Sequence, residues 1–190
     1  MSLVGTSRWS IRISDTVHAD VDAVAGWWFQ AEREEEYLAV LKTRKGVVDV
    51  SVTNSTEDGH RVRVILCKTA QGWEFEHRMT TVKRPERQVD RYILETHDLE
   101  TARDVEHQTV RLFGWQSFTV ECNRVLEVIA IGPQETRITD NHDHAMTGSN
   151  WLYRWKRHKT DMRNHNEILK AAVKACAVAL GKAEGASSAP

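Results

Sequence analysis

The chain has 190 residues, with 26 basic and 27 acidic side chains and a formal net charge of −1. This balance gives no global attraction to nucleic acid or to an anionic membrane, and no apolar run of about 18 residues predicts a stable membrane insertion. The three cysteines lie far apart without CxxC spacing and no signal peptide is predicted, so a cytoplasmic protein without disulfides is expected.

The first predicted elements are a strand and two short helices. Across Arg8–Val17, apolar and polar residues alternate with the period of a strand that has one buried face. After Asp20, a candidate N-cap, apolar residues recur at helical spacing, and a second short segment with this spacing is predicted at Tyr37–Leu41. On the first helix Trp28 matches the inward face. Trp27 falls off that face, which leaves core packing, a pocket mouth and a dimer contact open for it.

Four strands are predicted next, at residues 46–54, 60–69, 73–83 and 88–96. Turn sequences such as Asp58-Gly59 separate the first of them, as expected for a meander of hairpins. In the third strand of this set, Phe75, His77 and Met79 share one face, which is predicted to point inward. The polar stretch 97–114 is predicted to be a loop or lid.

Two long strands complete the predicted sheet. Along residues 117–131 the even positions are apolar, with Arg124 on the same face. In the last strand, ITDNHDHAM, alternation places Asp140, His142 and His144 inward and Asp143 in solvent.

A long amphipathic helix is predicted from about residue 150 to Leu180, with Gly181 as its stop and a disordered tail over residues 182–190. Residues 154, 156, 157, 159 and 163 are basic and form its predicted solvent face. The predicted buried stripe consists of Trp151, Trp155, His158, Met162, His165, Leu169, Ala172, Val173, Cys176 and Leu180.

This order of elements resembles the START/Bet v 1-like (SRPBCC) superfamily, in particular its bacterial polyketide cyclase/dehydrase and lipid-transport group. The matching segments are ISDTVHADVDAVAGWW, the hairpin IAIGPQETRIT and the C-terminal helix. The resemblance implies an α+β helix-grip fold in one domain, residues 1–181, with a seven-stranded curved antiparallel sheet around the long helix. It also implies a cavity between sheet and helix for a hydrophobic or amphipathic small molecule.

The predicted inner faces supply the candidate site. Its ligand-binding candidates are Phe75, His77, Met79, Arg124, Trp151, Trp155, His158, Met162 and His165. Burying so many polar groups without partners would cost about 1–3 kcal/mol each, so they are expected to bond to one another, to water or to a ligand.

Several functions are compatible with this set. Binding of a lipid- or polyketide-like molecule is favoured. The alternatives are a cyclase or dehydratase in which Asp140, His142 and His144 act as catalytic acid/base groups, and a non-catalytic interaction protein, with a homodimer left open. The His-x-His pair could converge on an ion, but neither an HExxH motif nor a Cys/His set accompanies it. The sequence therefore predicts no metal and no cofactor.

Overall fold

The computed structural model describes residues 5–30, 47–70, 72–104, 117–148 and 151–187. Within these ranges it describes all side chains except those of residues 103, 104, 117, 151–156, 161, 164 and 182–187. The described elements are β1 (Ser7–Val17), α1 (Val21–Trp28), β2 (Val47–Glu57), β3 (His60–Thr69), β4 (Trp73–Arg87), β5 (Arg91–Asp104), β6 (Ser117–Gly132), β7 (Glu135–Thr147) and α2 (Trp151–Ser187).

The seven strands form one antiparallel sheet in the order β1-β7-β6-β5-β4-β3-β2. Register shifts interrupt β4 where it pairs with β5, and another shift interrupts β6 near the end of that strand. Such bulges bend a strand and increase its twist. The sheet curves around α2, whose backbone approaches β1 and α1. This arrangement is the expected α+β architecture. The predicted domain boundary at residue 181 stays a prediction.

The hairpin between β2 and β3 turns at Asp58 and Gly59, where φ is 49° and 81°. Two successive residues with positive φ are typical of a type I′ turn, whose twist matches that of the flanking strands. The Asp-Gly sequence thus fixes the register in which Glu57 pairs with His60.

Helix α1 begins behind Asp20, whose side chain accepts hydrogen bonds from the backbone N–H groups of Asp22 and Ala23. Trp27 was predicted to fall off the inward face of this helix, and that prediction was wrong. Trp27 is only 7% exposed and belongs to the core, whereas Trp28 is half-buried at its edge. Because α1 lies between α2 and strands β6 and β7, it is covered on more than one side and buries more than one stripe.

Two further boundaries differ from the predictions. Strand β5 continues to Asp104, so residues 97–104 are not a loop; residues 105–116, the rest of the predicted lid, lie outside the described residues. Helix α2 passes Gly181 and reaches Ser187, because one glycine costs a helix only about 1 kcal/mol. The second short helix predicted at Tyr37–Leu41 also lies outside the described residues.

The core consists of two apolar clusters. One joins α1 and the second half of α2 to the sheet, through residues such as Val24, Leu126, Ile138 and Cys176. The other lies at the opposite end of β7, where Met146 packs with Trp9, Phe118 and others. Among the described residues, no helix combines the length and apolar content needed to cross a bilayer.

Candidate functional site

Between the two apolar clusters, the inner face of the sheet is polar. The strand register places seven side chains on this face, and we call them the polar belt: Thr96 and Asp98 of β5, Cys122 and Arg124 of β6, and Asp140, His142 and His144 of β7. Asp140, His142 and His144 are buried and Asp143 is exposed, as alternation along β7 predicted.

A two-point ion pair joins β6 to β7 in the polar belt. Nε of Arg124 donates to Oδ1 of Asp140 at 2.8 Å, and Nη2 donates to Oδ2 at 2.9 Å. Burial raises the pKa of Asp140, but the Arg124 charge, the neighbouring His142 and the hydrogen bonds from Arg124 outweigh it and hold this pKa well below its usual range. Asp140 is therefore an ionised acceptor.

His142 lies at the centre of the belt. Its Nε2 is 3.0 Å from Oδ1 of Asp140, within ion-pair distance but without the alignment of a hydrogen bond. Its Nδ1 is 3.6 Å from Sγ of Cys122. From α2, the ring of His165 packs edge-on against it with ring centres 4.3 Å apart.

His144 stacks on Trp9 of β1, with ring centres 5.1 Å apart and ring planes within 6° of parallel. Burial, followed by the neighbouring His142 and His165, lowers the pKa of His144 to about 3. This imidazole is therefore neutral near pH 7 and a weak base.

Cys122 lies directly across from His144 in the β6–β7 register. Burial raises the pKa of its thiol to about 12. A thiol with such a pKa holds its proton at neutral pH, so the nearby His142 does not make Cys122 a nucleophile of the thiolate type.

The face extends from the belt across β5 and β4. His77 Nε2 lies 3.8 Å from Oδ2 of Asp98. Burial lowers the pKa of His77, but the nearby carboxylates of Asp98 and Glu100 raise it further than burial lowers it. Arg157 of α2 donates to Glu100 at 2.9 Å, so this arginine is turned toward the sheet and not, as predicted, toward solvent.

Five buried side-chain atoms in the described residues make no hydrogen bond, and all lie on the inner face of the sheet. They are Nε1 of Trp9, Oγ1 of Thr96, Oδ1 of Asp98, Nε2 of His142 and Nδ1 of His144. A buried polar atom without a partner costs about 1–3 kcal/mol, and such atoms are few in native proteins. Their concentration on one face makes this face of the sheet the candidate site.

The predicted ligand-binding residues fall into three groups. Six of them lie on the inner face of the sheet or on the side of α2 that meets it, and all six are half-buried as whole residues: Phe75, His77, Met79, Arg124, His158 and His165. Met162 is 51% exposed, so its place in a buried stripe was wrong. The side chains of Trp151 and Trp155 lie outside the described part of the chain.

Sequence reasoning missed Trp9, Thr96, Asp98, Glu100 and Cys122 as members of the site. Alternation along β1 and β6 already placed Trp9 and Cys122 inward, so a signal existed for both. Asp98 and Glu100 were missed because their strand was predicted to end at Thr96, and Thr96 itself was not assigned to either face.

No protein-family model matches the chain, and no curated protein matches it. Solved structures do. An uncharacterised protein from Rhizobium leguminosarum is 10% identical, with a TM-score of 0.55 over 92% of this chain and 99% of that chain. The Zhui aromatase/cyclase from Streptomyces sp. R1128 is 17% identical, with a TM-score of 0.40 over 94% of each chain. A norcoclaurine synthase variant from Thalictrum flavum is 12% identical, with a TM-score of 0.47 over 91% and 96%.

At these identities the similarity concerns the fold alone. Nothing about this chain is concluded from the two structures with the lower TM-scores. The sheet order and the long C-terminal helix decide the architecture. The chain has the helix-grip fold. In this helix-grip fold, the polar belt lies on the face of the sheet that the long helix crosses, because His165 of α2 meets His142 of β7 there.

Proposed function

We propose that the protein binds an amphipathic small molecule, lipid- or polyketide-like, in a cavity between the inner face of the sheet and α2. The observation that carries this proposal is the set of five buried polar atoms on that face that make no hydrogen bond. A ligand with a hydrogen-bonding end would satisfy several of them at once, and placing a few polar groups in an otherwise apolar site is how small-molecule pockets fix orientation.

The neighbouring side chains support an amphipathic ligand over a purely apolar one. Phe75 and Met79 of β4 are half-buried on the inner face and offer an apolar surface beside the belt. The side chains of His77 and Arg124 keep 32% and 26% of their exposure on the same face, and a bound ligand could cover this exposed surface. The polar belt would receive the ligand's polar end and β4 its apolar body.

Acid/base catalysis as a cyclase or dehydratase has weaker support. Asp140 is held ionised by Arg124 and accepts hydrogen bonds, so it does not donate a proton. With a pKa of about 3, His144 is a poor base near pH 7. The catalytic alternative therefore depends on His142 alone, oriented by Asp140 at 3.0 Å.

The proposal is tested by titrating the full chain with a dansyl-labelled fatty acid and following its fluorescence. We expect saturable binding that Met79→Trp weakens at least tenfold, because the larger side chain occupies the space beside the belt. Leu66→Trp is the matched control: it makes a comparable change on β3, with Leu66 on the outer face and exposed.

Circular dichroism would establish that both variants fold. Equal affinities of the two variants would place the probe outside the inner face and overturn the proposal. Failure of the unsubstituted chain to bind the probe, with the fold intact, would instead favour the non-catalytic interaction protein.

A further inference from the structure

Three side chains with metal-binding atoms meet in the polar belt because of the strand geometry. His142 and His144 are two residues apart on β7 and so share a face, and Cys122 is the cross-strand neighbour of His144 on β6. One ligand atom of each lies within 4.8 Å of those of the other two, and all three residues are buried.

The distance between two of these atoms already fits a metal ion. Sγ of Cys122 and Nδ1 of His142 are 3.6 Å apart. Tetrahedral zinc, with bonds of about 2.3 Å to sulfur and about 2.05 Å to nitrogen, holds such a pair about 3.6 Å apart. The separations involving His144 are at most 4.8 Å.

The surroundings of His142 resemble the outer shell of a metal site. A histidine that binds a metal through one ring nitrogen usually presents the other to a carboxylate, which fixes the ring. Nε2 of His142 is 3.0 Å from Asp140, and Asp140 is itself held by two hydrogen bonds from Arg124. The unpartnered Nδ1 of His144, a residue only 7% exposed, is a second observation that points to a ligand here.

We propose that Cys122, His142 and His144 bind one zinc ion or a similar borderline-soft divalent cation. One thiolate and two imidazoles suit zinc and cobalt, whereas magnesium and calcium prefer oxygen ligands. On binding, the Cys122 thiol loses its proton to solvent as the metal–sulfur bond forms. Three protein ligands leave a fourth coordination position open. The ring of His165 lies nearby, 5.6 Å from that of His144.

This site does not rest on the proposed small molecule, and it differs from the sequence-based prediction of no metal. That prediction relied on local motifs. The three ligands come instead from two strands, with Cys122 twenty residues before His142, and only the β6–β7 register brings them together.

The test uses the full chain, freed of metal with a chelator and then titrated with Co²⁺ as the probe. We expect one equivalent to bind, with intense visible ligand-field bands and a near-ultraviolet charge-transfer band from thiolate to cobalt. Calorimetry with Zn²⁺ should give the same stoichiometry. Cys122→Ser should remove the charge-transfer band and weaken zinc binding at least tenfold. The control Cys67→Ser, in the half-buried cysteine of β3, should change neither.

A cobalt spectrum of the unsubstituted chain without a charge-transfer band would overturn the proposal, whether or not the Cys122 variant folds. Loss of the band in Cys67→Ser and not in Cys122→Ser would also overturn it. The variant His144→Gln tests whether the site needs His144 as a ligand or is formed by Cys122 alone. It should lower the affinity for zinc at least tenfold, and an unchanged affinity would contradict the three-ligand site.

Discussion

The ion pair between Arg124 and Asp140 gives the sharpest stability prediction. Replacing Arg124 with Met removes both hydrogen bonds, at 2.8 and 2.9 Å, and leaves the buried Asp140 carboxylate with His142 as its nearest remaining partner. The methionine keeps much of the arginine's apolar stem, so the change is chiefly one of charge and hydrogen bonding.

The expected cost follows from burial. Two unit charges about 4 Å apart attract by about 4 kcal/mol at an effective dielectric constant of about 20. Removing one partner of a buried pair costs about 3–5 kcal/mol, because the other charge stays desolvated. Since the Arg124 side chain is 26% exposed, solvent screens part of the interaction and we expect about 3 kcal/mol, the lower end of that range. For a chain of this length, that loss lowers Tm by about 6–12 °C.

Urea unfolding at pH 7, followed by tryptophan fluorescence and circular dichroism, measures this loss. Arg87→Met is the matched control, because Arg87 pairs with Asp22 at 2.9 Å with both side chains largely exposed, and it should cost under about 1 kcal/mol. In Arg124→Met/Asp140→Asn, neither buried charge remains, so the double variant should recover at least about 2 kcal/mol relative to the sum of the single losses. A loss under about 1 kcal/mol for Arg124→Met, or additive losses in the double variant, would refute the reasoning.

Two further predictions concern β4 and two glycines. His77 should titrate above about 6.5 by NMR, and Asp98→Asn should lower its pKa; a value at or below 6.5 in the unsubstituted chain would contradict the pairing with Asp98. Because the native pKa of His77 is raised, its stabilising contribution is fully present below about pH 6.5 and is lost as pH rises through the native pKa. The free energy of unfolding of His77→Gln should therefore depend less on pH than that of the unsubstituted chain. Gly59→Ala should lower the free energy of unfolding by about 1 kcal/mol, because φ is 81° there. Gly26→Ala in α1 should raise it by about 0.5–1 kcal/mol, because a Cβ added there meets open space. Equal effects of the two variants, measured by urea unfolding, would contradict this contrast.

The period-2 patterns of the sequence predicted much of the sheet. Strand β3 was predicted with its observed bounds, and the inward direction of Asp140, His142 and His144 is confirmed by their burial. These predictions succeeded because a sheet with one buried face forces alternate residues inward, so an apolar residue at either end of a strand fixes the direction of the polar residues between them.

The same rule failed in β5 because the inner face there is polar. Residues 97–104 have the sequence HDLETARD, in which the inward positions include Asp98 and Glu100. Polar residues on both faces remove the alternation of hydrophobicity on which strand prediction depends. The segment was therefore taken for a loop, and two residues of the site were lost with it.

Helix α2 shows a different limit. Helical spacing places Met162 on the same stripe as His158 and His165, but spacing states only which residues share a face and not whether another element covers that face. Met162 is exposed, while Arg157, predicted to face solvent, is held by Glu100 of β5. The partner of each helical residue depends on the curvature of the sheet, which local sequence patterns do not contain.

The polar belt is not explained by folding. An apolar belt would join the two core clusters into one, and replacing buried ion pairs with apolar residues is often neutral or stabilising by about 1–4 kcal/mol. Instead the chain keeps an arginine, two carboxylates, two histidines and a cysteine there, with several atoms unpartnered. Residues that lower stability in the middle of a core are accounted for by an occupant that binds them, and both proposals assign that occupant to the same few ångströms around His142 and His144.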